Sequence, residues 1–244
     1  MYYTVRPAHI RPDMQGAWSG PAWEQADTLE IASFRPESSD HRPETYARLL
    51  YDRDGLFGIF LVRDRCVRCT HTHYMDPVYE DSCIEFFVQP KLDKGYFNFE
   101  FNCGGSLLCF YIVDPTRVPN GFKDFVPLPE KDGKQVAIYH SMPQIVEPEI
   151  IVPTEWLLEF FIPFALLEKY VGPVGHVYSQ EWRANFYKCA DDTSHPHWAS
   201  WAPINELNFH LPHCFGTIRF DDEQCTLKMK QEDETKGGEA IGKK

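Results

Sequence analysis

Basic charge is scarce in this chain. Its 244 residues carry 24 Lys and Arg against 36 Asp and Glu, a formal charge of −12. Nucleic-acid binding draws its affinity from clustered Lys and Arg that release counterions, so no nucleic-acid partner is expected. Long apolar runs are missing too. No stretch approaches the ~20 apolar residues of a bilayer-crossing helix, and the opening "MYYTVRPAHIRPDM" lacks the apolar segment of an export signal. No membrane partner is therefore expected, and the expected address is cytoplasmic, or extracellular if a leader was removed. Repeats and interdomain linkers are absent as well. One domain over residues 1–221 is expected, followed by a charged, aperiodic tail at 222–244 that should be mobile.

Cysteine is not scarce, with eight residues, but it lacks the loop-punctuating pattern of a disulfide scaffold. Cys83, Cys103 and Cys109 sit inside apolar strand patterns and read as reduced, buried small hydrophobes.

Aromatic residues are abundant: eighteen Phe, twelve Tyr and six Trp. Few long amphipathic helices accompany them, which favours strands. The segment to about Gly20, rich in Pro, Gly and aromatics, predicts irregular wrapping, and "TLEIASF" a first strand. "LFGIFLVRD", "SCIEFFVQP", "YFNFEFN", "SLLCFYIVD", "QVAIYHSM", "EWLLEFFIP", "EWRANFYKC" and "FGTIRF" follow as strands, and only "PFALLEKYV", introduced by Pro163, reads as a short helix. The fold expected is all-β: a single jelly-roll-like sandwich of roughly ten antiparallel strands with long loops.

Side chains alternate across a strand, so each segment divides into two faces. One face holds Ile84, Phe86 and Val88, then Phe97, Phe99 and Phe101, then Trp182, Ala184 and Phe186. The other holds Glu85, then Tyr96, Asn98, Glu100 and Asn102, then Arg183, Asn185 and Tyr187. Carboxylates, amides, an arginine and phenols beside flat rings are the groups that read vicinal hydroxyls. They equally suit the solvent face of a sheet with one wet side. A late loop, "DDTSHPHWASWAPINELNFHLPHCFG", adds Trp198 and Trp201, whose indoles suit either the C–H face of a sugar ring or the plugging of a sandwich end.

Five ordered blocks, "RPETYARLLYDRDGLFGIFLVRD", "VYEDSCIEFFVQP", "YFNFEFNCGG", "EWRANFYKCADDTSHPHWASWAPI" and "NFHLPHCFGTIRF", resemble the family 9 carbohydrate-binding module, in particular its stand-alone branch. The resemblance spans roughly residues 18 to 221. It implies a non-catalytic β-sandwich that binds a mono- or oligosaccharide between two aromatic platforms, in association with glycoside hydrolases and glycan breakdown. Structural calcium occurs in some members. By motif, the acidic binding residue is Glu85 and one platform is Tyr79, where better-known modules have Trp. Trp198 and Trp201 are candidates for the second platform, and Asn102, Arg183 and Asn208 for its polar partners.

Two alternatives stay open beside this reading. Glu85 and Glu100 could form the carboxyl pair of a glycoside-acting enzyme, which needs a spacing of ~5 Å for retention or ~6.5 to 9.5 Å for inversion. A metal-bearing interaction module is the other. "CVRCTHTH", Cys66 to His73, lacks zinc-finger spacing, but His71 and His73 share a face and could meet His195, His197 or His210. Asp76, Glu80 and Asp81 could offer oxygen to calcium, and Met75 or His73 could serve as an axial haem ligand, though no haem attachment motif is present.

Overall fold

A computed structural model describes residues 1–221; the tail expected at 222–244 lies outside the described residues. Sixteen strands follow in chain order: β1 (Tyr2–Pro7), β2 (Leu29–Glu30), β3 (Ser33–Phe34), β4 (Glu44–Tyr51), β5 (Gly55–Asp64), β6 (Val67–Cys69), β7 (Cys83–Gln89), β8 (Tyr96–Asn102), β9 (Leu107–Val118), β10 (Gly121–Pro127), β11 (Ala137–His140), β12 (Val146–Ile150), β13 (Thr154–Pro163), β14 (Glu181–Cys189), β15 (Trp198–Ser200) and β16 (Gly216–Phe220). A front sheet runs β10-β9-β8-β7-β14-β16-β1, and a back sheet runs β1-β4-β5-β13-β11.

β1 belongs to both sheets. Residues 2–5 pair in parallel with 217–220 of β16, and residues 6–7 pair in parallel with 50–51 of β4. A strand that switches sheets closes one corner of the sandwich. This corrects the reading of the opening segment as irregular, and the two pairings of β1 are the parallel exceptions in an otherwise antiparallel sandwich. Tyr3, Val5 and Pro7 alternate inward as a strand requires, but the partner of β1 is the last strand of the chain. "TLEIASF" also divides, into β2 against β4 and β3 against β15.

The core fills with the face predicted to be apolar. Phe86 and Phe101 from the front sheet meet Phe160 from the back sheet, with ring centroids 5.6 and 5.4 Å apart. Each such ring, fully buried, stabilises by about 1.5–3 kcal/mol. Two helices flank the strands rather than one: a single turn, α1 (Glu130–Gly133), and α2 (Phe164–Val171). α2 starts behind Pro163, buries Phe164, Leu166, Leu167 and Val171, and ends at Gly172, whose φ of 74° suits glycine.

One core position is a lysine. Lys188 shares the inward face of β14, fully buried. Its ammonium donates to His197 Nε2 at 2.8 Å and to the Cys189 carbonyl at 3.0 Å, and it lies 3.5 Å from Asp64 Oδ2 at the end of β5. His41 Nε2 bonds the other Asp64 oxygen at 2.6 Å. A charged tie thus joins the two sheets. Burial pushes the Asp64 carboxyl up, but Lys188 and His41 outweigh it and hold the group below its usual range.

Candidate functional site

The outward face of the front sheet is not wet. Alternation puts Cys83, Glu85 and Phe87 on it from β7, Tyr96, Asn98 and Glu100 from β8, and Asn185, Tyr187 and Cys189 from β14, and all nine are buried. Their cover comes from the loop that carries Ile204, Leu211 and Phe215, and from Phe122 on the β9–β10 hairpin. Between these covers a cavity of about 850 Å³ stays open above Glu85 and Glu100, within the usual range for small-ligand sites.

Glu85 pairs with Glu100 across the β7–β8 ladder, and the two are only 2% and 4% exposed. Cys189 Sγ donates to Glu85 Oε1 at 3.2 Å, and Asn98 Nδ2 donates to Glu100 Oε1 at 2.6 Å. Asn98 is itself held by the Phe110 N–H, which donates to its Oδ1 at 2.7 Å. Neither Oε2 has a hydrogen-bond partner among the described residues. Burial, then the facing Glu100, pushes the Glu85 carboxyl well up. Burial also lifts Glu100, to about 7 against the Asn98 hydrogen bond. Asp191, close by, is pushed up to about 6, again by burial first.

Rings from several elements line the space. Tyr79 sits on a 3-10 turn (Val78–Glu80) and is 39% exposed. That turn is pinned to the end of β14, because the Asp191 N–H donates to the Tyr79 carbonyl at 3.1 Å. Trp198 is aimed by its Nε1–H, which donates to Asp191 Oδ1 at 2.7 Å. Phe209 stacks on Tyr187, with centroids 4.1 Å apart at 12°. Phe122 and Phe125 of β10 also line the cavity. Three residues apart, they would face opposite ways on a regular strand. Register shifts between Phe122 and Phe125 interrupt the alternation, and a bulge of this kind re-aims side chains.

Of the candidates read from sequence, the structure brings Tyr79, Glu85, Trp198 and Asn208 to this cavity, together with Glu100. Three others lie elsewhere. Asn102 is sealed at the end of β8, where its Nδ2 donates to Asp81 and to the His71 carbonyl and its Oδ1 accepts from Ser106 N. Arg183 caps the carbonyls of Phe215 and Gly216. Trp201, 5% exposed, packs edge-on to Phe186 and borders a separate depression beside Met1 and Asp27. Each is engaged by structural partners away from the cavity. The sequence reading missed Arg117, Asp191, Phe110, Phe122, Phe125 and Phe209 as lining residues. A hairpin signal was present for four of them: "PNG", residues 119–121, where Val118 pairs with Gly121.

The candidate metal ligands do not converge. His71 bonds Glu80 at 2.9 Å, while His73 is exposed and pairs with Asp76. His195 bonds Cys66 and Ser194, His197 accepts from Lys188, and His210 bonds the Tyr96 hydroxyl. The carboxylates proposed for calcium are occupied by protein donors. Asp76 accepts from the His73 N–H, and Asp81 from the Thr70 and His71 N–H groups and from Asn102. Met75 Sδ accepts from the Cys109 N–H within a buried apolar cluster. "CVRCTHTH" is thus the short strand β6 and a loop cinched by Asp81. Cys83, Glu85 and Cys189 do bring ligand-type atoms within 4.8 Å of one another. Two thiols and one carboxyl do not meet the six to eight oxygens of calcium, and here Cys189 serves as hydrogen-bond donor to Glu85.

The model of carbohydrate-binding family 9 matches residues 22–220. No curated protein matches the chain. Among solved structures, a proposed carbohydrate-binding protein from Bacteroides uniformis ATCC 8492 is similar at 25% identity and a TM-score of 0.79, over 90% of this chain and 99% of its own. A family 9 module from Caldicellulosiruptor kristjanssonii in complex with cellotriose aligns at 12% identity and a TM-score of 0.61, over 91% and 95%. The same organism's family 9 module in complex with glucose aligns at 10% identity and a TM-score of 0.59, over 90% and 96%. At these identities the two Caldicellulosiruptor structures speak to the fold.

Proposed function

Because the chain belongs to carbohydrate-binding family 9, we propose that it binds a mono- or oligosaccharide, non-catalytically, in the cavity above Glu85 and Glu100. One observation carries this reading. Two almost fully buried carboxyl groups each keep an oxygen unpartnered at the base of an open cavity walled by Tyr79, Trp198, Phe122 and Phe125. Carboxyl oxygens left free of protein donors at the floor of an open cavity are acceptors for a ligand's hydrogen-bond donors. The rings offer flat apolar faces to sugar C–H groups.

The pairing of the two acids supports binding over hydrolysis. A glycosidase places its carboxyl groups on either side of the scissile bond. Glu85 and Glu100 are direct cross-strand partners on one wall, so both address a ligand from the same side. The role we assign is to hold a sugar during glycan breakdown, alongside a glycoside hydrolase that performs the cleavage.

Calorimetric titration tests the binding. The panel starts with glucose and cellotriose, the sugars in the structures of two fold relatives, and adds xylo-, manno- and galacto-oligosaccharides. Saturable binding is expected for at least one member. No heat or displacement with any of them at millimolar concentration overturns the proposal.

A further inference from the structure

The cavity is short of positive charge. Four carboxyl side chains line it, Glu85, Glu100, Asp191 and Glu206, against one guanidinium, Arg117. Arg117 does not neutralise them by contact: its guanidinium lies over the Phe122 ring, 4.2 Å from the centroid, and it makes no ion pair with a described residue. His210 contributes no charge either, since burial and then Arg117 hold its pKa down at about 3.

A neutral hydroxyl does not need this arrangement. One carboxylate or an amide accepts a hydroxyl hydrogen, and a second buried acid directly opposite only adds repulsion whenever both ionise. The pair is accommodated either by the proton that burial keeps on it or by a cation that takes that proton's place between its members. An ammonium offers three donors and a full charge, and it would satisfy both unpartnered Oε2 atoms while offsetting the cost of two buried carboxylates.

Resting on the sugar-binding reading above, we infer that the ligand selected by this cavity is a basic amino sugar, its ammonium seated between Glu85 and Glu100 and its ring against the aromatic walls. Asn98 and Cys189 then act as positioning residues, each fixing one carboxyl so that its second oxygen faces the ligand. Acetylation of the amine removes both the charge and two of the donors, so an N-acetylated sugar should lose the advantage.

Isothermal titration of the full chain at neutral pH with D-glucosamine, D-glucose, N-acetyl-D-glucosamine and cellotriose tests the inference. D-Glucosamine should bind at least about tenfold tighter than D-glucose or N-acetyl-D-glucosamine, a ratio equivalent to ~1.4 kcal/mol. Glu100→Gln should bring that ratio close to one, with circular dichroism reporting the fold. If D-glucose binds as tightly as D-glucosamine to the unmodified chain, the amino-sugar inference falls and the sugar-binding reading stands. If none of these four binds, the amino-sugar inference falls, and the sugar-binding reading falls with it only when the xylo-, manno- and galacto-oligosaccharides also fail to bind.

Discussion

Glu85 stands directly opposite Glu100 in the β7–β8 ladder, with both carboxyl groups on the covered outer face of the front sheet. Burial raises both above the ordinary value of 4.5, joined at Glu85 by the facing Glu100, and takes Glu100 to about 7. Asp191 and Cys189 face them from the β14 side, and Arg117 from the hairpin. Between 4.5 and about 7 the native protein keeps a proton on Glu100 that the unfolded chain has lost, so its contribution to stability falls as pH rises through that window. The loss is on the order of a few kcal/mol. Glu100→Gln should flatten this part of the profile, measured as urea midpoints at pH 4.5 and pH 8. An unchanged difference between the two midpoints would contradict the assignment.

The two late tryptophans should separate by phenotype. Trp198→Ala removes a ring that lines the cavity, and sugar affinity should drop on the order of tenfold, ~1.4 kcal/mol, with little change in unfolding midpoint. Trp201→Ala removes a 5%-exposed core ring, so stability should fall by about 3–5 kcal/mol. Calorimetry and chemical denaturation on both variants distinguish these outcomes. A reversal would place the platform on Trp201 instead.

The Lys188–Asp64 tie makes a further test possible. Lys188→Met leaves Asp64 buried beside His41 and His197 without its ammonium, and breaking a buried pair from one side costs about 3–5 kcal/mol. The double change Lys188→Met with Asp64→Asn should recover much of that loss, because the neutral amide keeps hydrogen-bonding capacity toward His41. Equal destabilisation in the single and double variants would show that the cost lies in packing rather than charge.

Alternation made the site's polar wall readable. Glu85 between Cys83 and Phe87, and Glu100 between Asn98 and Asn102, lie on the face that strand periodicity assigns them. Periodicity says nothing about what covers a face, so the same residues read equally well as solvent-facing. The cover depends on long-range placement: the late loop folds back onto the sheet, and the irregular register of β10 turns both Phe122 and Phe125 inward. Asn102 shared the polar face but not the cavity, since the strand ends there and Asp81 takes its amide. Lys188 breaks the apolar pattern of β14 and finds its counterion only across the sandwich, on β5. β1 was illegible because its partners, β16 and β4, lie far along the chain and run parallel to it.

A crystal structure of the full chain with an added sugar, glucose or glucosamine at millimolar concentration, tests the central claim most directly. The account predicts ligand density above Glu85 and Glu100, within hydrogen-bond reach of their free oxygens and against Trp198 or Tyr79. Density instead at the separate depression beside Met1 and Trp201, with the cavity holding only water, would contradict it.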